Sequence, residues 1–298
     1  MATAIVVGGL GYIGRSLSRE LAGRGWRVHI TTRRRRAGAP PVLGATIHYS
    51  TRSPADLPRG LEADAVFYLP GRPGGLEGSL RRVHVDLARE WATYAAETGA
   101  LFVYTSSIAV TAEYGGESSV GDRIVEEEPH LSGRSPRSGR TAHARTKAEM
   151  EALLVSGGLG ERLGGRFTIV RPAMVYGGEN PHLEWRLLRL LNALRIRPES
   201  RVLPVVSVEC LARLLAGPVA GGSYEGRWVN AVEPRSLGEA LDRVFGPCSG
   251  PCARPRIDGP ARILTRPLPR FCKGALAYSL LSPGKPYGSK FVGDPCTT

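Results

Sequence analysis

The segment TAIVVGGLGYIG at residues 3–14 constrains the fold of this chain more than any other. It opens with a short apolar run, residues 3–9, rich in β-branched side chains, which predicts a strand buried on both faces. Helical periodicity begins near residue 12 and continues to about residue 24. Three glycines at the junction have the spacing of a phosphate-binding turn: Gly8, Gly11 and Gly14.

Each of these glycines meets a separate physical requirement. The turn must be tight, the backbone must approach a pyrophosphate closely, and the helix must pack against the strand. Backbone N–H groups at the start of the helix can then bind phosphate charge. The segment therefore predicts a dinucleotide-binding site, with Tyr12 and Ile13 contributing to it beside the glycines.

Strands and helices continue to alternate after this segment. Apolar segments predict strands at residues 26–32, 63–70, 100–107 and 166–172. Helical patterns lie between them, the longest at residues 80–99 and another around Lys147. This alternation predicts an α/β fold with a doubly wound, Rossmann-like parallel sheet.

Two stretches interrupt the alternation. Residues 113–140 are polar and contain an acidic run, which predicts a long mobile loop. Residues 246–298 are rich in Pro and Gly and predict an irregular segment that packs on the domain or caps a substrate pocket. We expect a cofactor-binding domain over residues 1–175. A smaller substrate-side region over residues 176–298 would return some of its strands and helices to the main domain.

The end of the second predicted strand bears on the choice of cofactor. NAD-binding folds of this kind place an acid there to bind the ribose hydroxyls. This chain has Thr32, Arg33 and Arg34 instead, and no carboxylate occurs between Glu20 and Asp56. An acid would repel a 2′-phosphate, whereas arginine binds it bidentately. The segment favours NADP over NAD, and a merely solvated arginine run is the alternative.

The net charge of +13 bears on the partners of the protein. Nucleic-acid binding requires clustered cations, usually with stacking aromatic side chains, but here the arginines are spread along the whole chain. We therefore expect a small-molecule substrate rather than nucleic acid. Exposed arginines would attract an anionic one, although they are equally compatible with an ordinary solvated surface.

The sequence shows no targeting or membrane segment. Its N-terminus lacks the basic stretch of a signal peptide, and no run of 18 or more apolar residues occurs. We expect a cytoplasmic protein without a membrane span. The absence of Gln and the presence of only three Asn are compatible with a thermophilic source or with codon bias.

The five cysteines do not predict a metal site. Four of them lie beyond residue 240, and no histidine-rich partner is near them. Cys248 and Cys252 are separated by three residues rather than the two of common zinc sites. Separate thiols or a local disulfide are favoured.

The segment RTAHARTKAEME at residues 140–151 predicts a helix with His143 and Lys147 on one face. With five other segments, it resembles in order and spacing the motifs of the extended short-chain dehydrogenase/reductase superfamily, the NAD-dependent epimerase/dehydratase group. The resemblance covers roughly residues 3–245 and is more specific for fold than for substrate. The other segments are GGLGYIG (8–14), FVYTSSIAV (102–110), TIVRPAMVYG (168–177), the later helix VVSVECLARLL (205–215), and the strand and helix GRWVNAVEPRSLGEAL (226–241).

The resemblance implies a catalytic serine, tyrosine and lysine. Ser107 matches the serine, which hydrogen-bonds the substrate oxygen where charge develops, with Thr105 and Ser106 as neighbours. Lys147 matches the lysine, which binds the nicotinamide ribose and lowers the pKa of the tyrosine. His143 stands in the tyrosine position, whose side chain exchanges a proton with the substrate oxygen while hydride passes to or from nicotinamide C4.

The resemblance also implies further cofactor contacts and a homodimer. It places four more residues at the cofactor: Leu69, Pro70, Pro172 and Val175. Besides His143, the chain departs from the family pattern at Tyr68-Leu69-Pro70, where the family tends to have His-Leu-Ala, and at His84, where it tends to have Asn. Family members often dimerise through helices that correspond here to residues 80–98 and 143–155.

Two functions remain open, and the choice between them depends on whether His143 can replace the tyrosine in the proton transfer. An imidazole with a pKa near 6.5 suits acid–base work at neutral pH, and Lys147 would keep it neutral. Imidazole is shorter than phenol, however, and a catalytic site tolerates little displacement. The chain is an NADP-dependent oxidoreductase or epimerase acting on a hydroxyl/carbonyl substrate such as a nucleotide sugar, or a catalytically silent NADP-binding module. Other tyrosines considered for the site are Tyr104, Tyr114 and Tyr176.

Overall fold

The computed structural model describes residues 1–33, 44–72, 74–114, 139–177, 192–197, 202–220 and 228–254 except 249, with the single positions 42, 119, 120, 123, 124, 135 and 189. Most of the predicted loop at 113–140, and the segment beyond residue 254, lie outside these residues. In the part of the chain that is described, no helix is long and apolar enough to cross a membrane.

A sheet of seven parallel strands forms the centre of the fold and confirms the predicted doubly wound architecture. The strand order is β11-β8-β5-β4-β1-β2-β3. Its strands are β1 (Thr3–Val7), β2 (Arg27–Thr32), β3 (Ala45–Tyr49), β4 (Ala65–Tyr68), β5 (Leu101–Thr105), β8 (Phe167–Pro172) and β11 (Trp228–Ala231).

Helices cover both faces of this sheet. The helices of the described residues are α1 (Tyr12–Gly23), α2 (Glu77–Arg81), α3 (Leu87–Thr98), α4 (Ile108–Tyr114), α5 (Ala142–Val155), α6 (Leu159–Arg162), α7 (Val208–Ala216) and α8 (Leu237–Phe245). Of these, α8 packs on a smaller second sheet. A π-helical turn at Arg82–Asp86 joins α2 to α3. The helix predicted at residues 80–99 therefore begins earlier, at Glu77, and is not α-helical throughout.

The core forms two layers, one on each face of the sheet. On β1, Ala4 and Val6 face the cluster that includes α1 and α7, whereas Ile5 and Val7 face the cluster that includes α3 and α5. All four side chains are buried, as expected for a strand that is apolar throughout.

A smaller sheet lies beside the main one. It contains β9 (Met174–Tyr176), β10 (Val202–Ser207) and β12 (Glu233–Ser236), with β10 parallel to β9 and antiparallel to β12. The interpretation of residues 205–215 as a helix throughout is wrong at its start, because residues 205–207 belong to β10. The helix begins only at Val208, where Ser207 caps it by accepting a hydrogen bond from the Cys210 N–H.

The structure shows local order in both of the segments that the sequence predicts to be irregular. The first residues of the predicted loop at 113–140 still belong to α4, and within that loop β6 (Ser119–Val120) pairs with β7 (Arg123–Ile124). Cys248 and Cys252 form a disulfide, which is one of the two alternatives that their spacing favours.

The sheet order places a crevice at the carboxyl end of β1. The strand lies between β2 and β4, and the chain leaves β1 toward one side and later returns on the other. Ligands of open α/β sheets bind at such a switch point, outside the carboxyl ends of the strands. The glycine turn after β1, the end of β2 and the segment after β4 all lie at this edge.

Candidate active site

The glycine turn after β1 has the close approaches that only glycine allows. Gly8 has a φ of +76°, and its N–H donates to the Thr31 carbonyl of β2 at 3.0 Å. A Cβ on Gly14 would lie 2.5 Å from the Gly9 Cα, so the first turn of α1 packs directly on the loop backbone. The turn therefore has the tight geometry expected of a pyrophosphate cradle.

The start of α1 suits an anion. Gly11 precedes the helix without a side-chain cap, and no acidic residue lies in the first turn. The first N–H groups of a helix carry partial positive charge. Tyr12 donates a hydrogen bond to the Gly177 carbonyl after β9, and Ile13 packs on the hydrophobic core. The fold thus positions both residues beside the cradle.

The ends of β2 and β4 flank the cradle. Thr32 ends β2, its carbonyl accepting from the Thr51 N–H at 3.1 Å. Arg33 follows as an exposed residue, and Arg34 lies outside the described residues. After β4, the Leu69 N–H donates to the Val7 carbonyl at 3.3 Å, and Pro70 lies 3.4 Å from where a Gly8 Cβ would be.

Lys147 is buried in α5 and reaches the carboxyl end of β5. Its Nζ donates to the Thr105 carbonyl at 2.6 Å and lies 4.8 Å from the centre of the Tyr104 ring. Burial lowers the pKa of Lys147 to about 7, although the nearby Glu151 carboxylate opposes this effect. Lys147 can therefore gain or lose its proton near neutral pH.

The three consecutive hydroxyl-bearing residues at the end of β5 make different contacts. The Ser107 hydroxyl accepts from the Ala109 N–H at 3.2 Å at the start of α4 and stays half-buried. The Ser106 hydroxyl instead donates to the buried Glu151 carboxylate, which makes it a structural group. Thr105 Oγ1 is buried and has no hydrogen-bond partner among the described residues.

His143 lies in the first turn of α5, which Thr141 caps by accepting from the Ala144 N–H at 3.1 Å. Its Nδ1 donates to the Arg72 carbonyl at 2.9 Å. The partner is a carbonyl, so Nδ1 carries the proton and Nε2 is the basic nitrogen. Burial, then the Lys147 charge, lowers the pKa of His143 to about 4, and the Arg72 carbonyl partly opposes this. At neutral pH the ring is therefore uncharged.

His84 joins this group, although the sequence indicated it only as a departure from the family pattern. It is fully buried, and its ring meets the His143 ring edge to face with centroids 5.2 Å apart. A Cβ on Gly71 would lie 3.6 Å from Lys147 Nζ and 3.8 Å from His84 Nε2. Burial, then the charges of Lys147 and His143, lowers the pKa of His84.

The hydroxyls of the three alternative tyrosines are all engaged in hydrogen bonds. Tyr104 is fully buried and donates to the His84 carbonyl at 3.0 Å. The Tyr114 hydroxyl accepts from the Gly139 N–H at 3.0 Å, and Tyr176 donates to the Glu233 carboxylate at 2.8 Å. These contacts are structural, so His143 is the one sequence-predicted acid–base group beside Lys147 on α5.

The two remaining predicted cofactor residues lie at the end of β8, which is the neighbour of β5, and in β9 of the smaller sheet. Pro172 ends β8 and Val175 lies in β9, and both are buried. Between them, the Ala173 N–H donates to the Ala231 carbonyl of β11 at 3.0 Å. This bond ties the turn to the main sheet, at the same carboxyl edge as the glycine cradle.

A parallel sheet with a glycine cradle at its switch point defines a nucleotide-binding Rossmann-like protein. Comparison with known families makes the class specific: the model of the NAD dependent epimerase/dehydratase family matches residues 4–203. The match spans more than half of the chain, and the protein belongs to that family. No curated protein sequence is similar enough to the chain to count as a match.

Solved structures share the fold at low sequence identity. The UDP-Glc/GlcNAc 4-epimerase from Campylobacter jejuni is 14% identical with a TM-score of 0.60, covering 94% of this chain and 99% of its own. The ADP-L-glycero-D-manno-heptose-6-epimerase from Helicobacter pylori is 16% identical with a TM-score of 0.59, covering 93% and 94%. MoeE5, solved with UDP-glucuronic acid and NAD, is 20% identical with a TM-score of 0.58, covering 85% and 86%.

His84 and His143, whose pKa values the fold lowers, should make the protein sensitive to acid. His84 and His143 resist protonation in the fold but titrate near 6.5 in the unfolded chain. The unfolded chain therefore binds more protons below pH 6.5, and the free energy of unfolding falls as the pH drops. At pH 5, a histidine that stays neutral in the fold lowers this free energy by about 2 kcal/mol.

Urea unfolding of the wild type and a His84→Asn variant, each at pH 7 and at pH 5, measures this effect. The variant lacks one of the protected histidines, so its stability should fall less between the two pH values. An equal or larger fall in the variant would contradict the assignment of His84 as a neutral buried group.

Proposed function

We propose that the protein is an NADP-dependent oxidoreductase or epimerase acting on a hydroxyl/carbonyl pair, with His143 as its acid–base group. The observation that carries the proposal is the hydrogen bond from His143 Nδ1 to the Arg72 carbonyl. It leaves Nε2 as the basic nitrogen, four residues before Lys147 on the same helix.

Each of the three side chains has a distinct task. His143 Nε2 takes the proton of the substrate hydroxyl as that carbon is oxidised, and returns it when the carbonyl is reduced. The Ser107 hydroxyl donates to the same oxygen and stabilises the charge that develops on it. Lys147 adds to the effect of burial, which lowers the pKa of His143 and keeps the ring neutral, and it binds the ribose of the cofactor.

The residues at the switch point fit a nicotinamide dinucleotide, which would accept or supply the hydride. A Cβ at Gly14 would collide with the loop backbone that forms the cradle, and the first turn of α1 contains no acidic residue. The exposed Arg33 after β2, with no acid at that strand end, supports NADP. The neighbour MoeE5 was solved with NAD, so NAD is the alternative that a binding measurement must separate.

The substrate class is proposed from the structural neighbours. Those named above include epimerases of UDP-Glc/GlcNAc and of ADP-L-glycero-D-manno-heptose. Both substrates are sugars linked to a nucleoside diphosphate, which is anionic. The net charge of +13 is compatible with attraction of such a substrate.

A turnover assay tests the function. The purified protein is incubated with NADP⁺ or NAD⁺ and a panel of UDP- and ADP-linked sugars, with absorbance at 340 nm and NMR spectra of the sugar as readouts. We expect an epimer, or stoichiometric reduced cofactor, with at least one member of the panel. Tight NADP binding without any product would indicate the silent binding module instead.

Replacing Arg33 with aspartate should reverse the cofactor preference. The carboxylate repels a 2′-phosphate and accepts hydrogen bonds from a 2′-hydroxyl, so we expect the Kd ratio of NADP⁺ to NAD⁺ to rise about 10- to 100-fold. Isothermal titration calorimetry measures both constants. Arg59→Asp, which makes the same charge change at an exposed residue of the turn before β4, is the control and should leave the ratio unchanged. An unchanged ratio in both variants would remove Arg33 from the cofactor site.

A further inference from the structure

Two histidines hold the segment after β4 against helix α5. The Arg72 N–H donates to His84 Nε2 at 3.2 Å, and the Arg72 carbonyl accepts from His143 Nδ1 at 2.9 Å. One residue of backbone is thus bound on both sides by imidazole rings, which meet at an interplanar angle of 90°.

The hydrogen-bond partner of each imidazole ring shows which of its nitrogens carries the proton. His84 Nε2 accepts from an N–H, so its proton lies on Nδ1, which donates to Thr146 Oγ1 at 2.8 Å. The Thr146 hydroxyl in turn donates to the Ala142 carbonyl at 2.8 Å. The chain of hydrogen bonds therefore starts at His143, passes through Arg72, His84 and Thr146, and returns to the helix that carries His143.

The backbone beneath His84 is fixed by separate contacts. His84 lies in the π-helical turn Arg82–Asp86, an uncommon conformation that often marks functional sites. The Tyr68 hydroxyl donates to the Val83 carbonyl at 2.5 Å, and the Tyr104 hydroxyl donates to the His84 carbonyl at 3.0 Å. Both tyrosines are fully buried, so they hold the backbone of His84 rigidly and thereby fix one end of the chain of hydrogen bonds.

We propose that His84 is a positioning residue that, through Thr146 and the Arg72 backbone, fixes the His143 ring in the tautomer with its proton on Nδ1. Without the Arg72 carbonyl, a neutral imidazole favours the other tautomer, with the proton on Nε2. The catalytic meaning of this role rests on the proposed function, because the Nε2 lone pair is needed to take the substrate proton. The tautomer itself is a property of the protein without substrate.

Nitrogen-15 NMR of the histidine rings, at pH 7.5 and without ligand, tests the proposal directly. The chain has six histidines, and a His143→Phe variant identifies the His143 signals by their loss. In the wild type we expect a protonated Nδ1 and an unprotonated Nε2 on His143. In Thr146→Val, which keeps the side-chain shape but cannot accept from His84, we expect the Nε2–H tautomer to become the major form. Thr146→Ser keeps the hydroxyl and should match the wild type.

A second variant separates this role from a general structural one. His84→Asn should also shift His143 toward the Nε2–H tautomer and increase amide hydrogen exchange at Arg72 at least about 10-fold. If His143 stays protonated on Nδ1 in both Thr146→Val and His84→Asn, or is protonated on Nε2 in the wild type, the proposal is overturned. No substrate enters this experiment, so a silent protein with the expected tautomers would refute the proposed function and leave the positioning role standing.

Discussion

Replacing His143 with phenylalanine should lower kcat about 10²- to 10⁴-fold, the usual contribution of a general acid–base group. Phenylalanine keeps an aromatic ring in the half-buried position but has no nitrogen to exchange a proton. The Kd of NADP⁺ should change little, because among the described residues the ring hydrogen-bonds to the Arg72 carbonyl, outside the glycine cradle. Steady-state kinetics with the best substrate of the panel measures kcat, and calorimetry measures Kd.

Two further variants make this result interpretable. His48→Phe replaces another half-buried histidine, on β3, and should leave kcat unchanged. His143→Tyr introduces the residue of the family pattern and should keep measurable turnover, since phenol can perform the same proton exchange. Equal rates in the wild type and in His143→Phe would exclude a catalytic role for His143. Activity that appears only in His143→Tyr would identify a silent binding module.

Replacing Glu151 with alanine should lower the free energy of unfolding by about 3–5 kcal/mol. Glu151 and Arg171 form an ion pair at 2.5 Å with side chains only 2% and 1% exposed, and Ser106 also donates to the carboxylate. Without Glu151, the Arg171 guanidinium stays buried without its counter-charge. Burial of an uncompensated charge is among the largest penalties that a single substitution causes.

Urea unfolding at neutral pH measures this loss against a matched control. Glu149 lies on the same helix and pairs with Arg81 at 2.8 Å, but the two side chains are 35% and 49% exposed. Exposed pairs contribute little, so Glu149→Ala should cost less than about 1 kcal/mol. Similar losses in the two variants would show that the buried pair contributes no more to the free energy of unfolding than the exposed pair does. The double replacement Glu151→Leu with Arg171→Met should recover much of the stability, because it removes both charges.

Much of the fold could be predicted because its strongest signals are local. The apolar run before Gly8 and the helical periodicity after it specify β1, the turn and α1 without any long-range information. Strand β3 was not predicted. It is a short edge strand with only partly buried side chains, and it lacks the continuous apolar run of the central strands. The small sheet of β9, β10 and β12 was also missed, because its short strands are far apart in the sequence.

In the candidate site, too, some contacts could be predicted from the sequence and others could not. Lys147 and His143 are four residues apart on one helix, so their proximity is visible in the sequence. The contact between His84 and the Arg72 backbone is not visible, because it depends on how the π-helical turn after α2 packs on α5. The assignment of Ser106 to the buried Glu151 also required the structure, since the sequence offers adjacent hydroxyls with no means of separating them.

In the proposed function, His143 exchanges the proton of the substrate oxygen through Nε2, beside Ser107 and Lys147. A crystal structure with NADP⁺ and a nucleotide sugar bound tests it most directly. The predicted result has His143 Nε2 and Ser107 Oγ within about 2.6–3.2 Å of the same substrate oxygen, with Lys147 Nζ at the nicotinamide ribose. A complex in which that oxygen contacts another acid–base group, while the His143 ring lies beyond hydrogen-bond reach, would contradict the account.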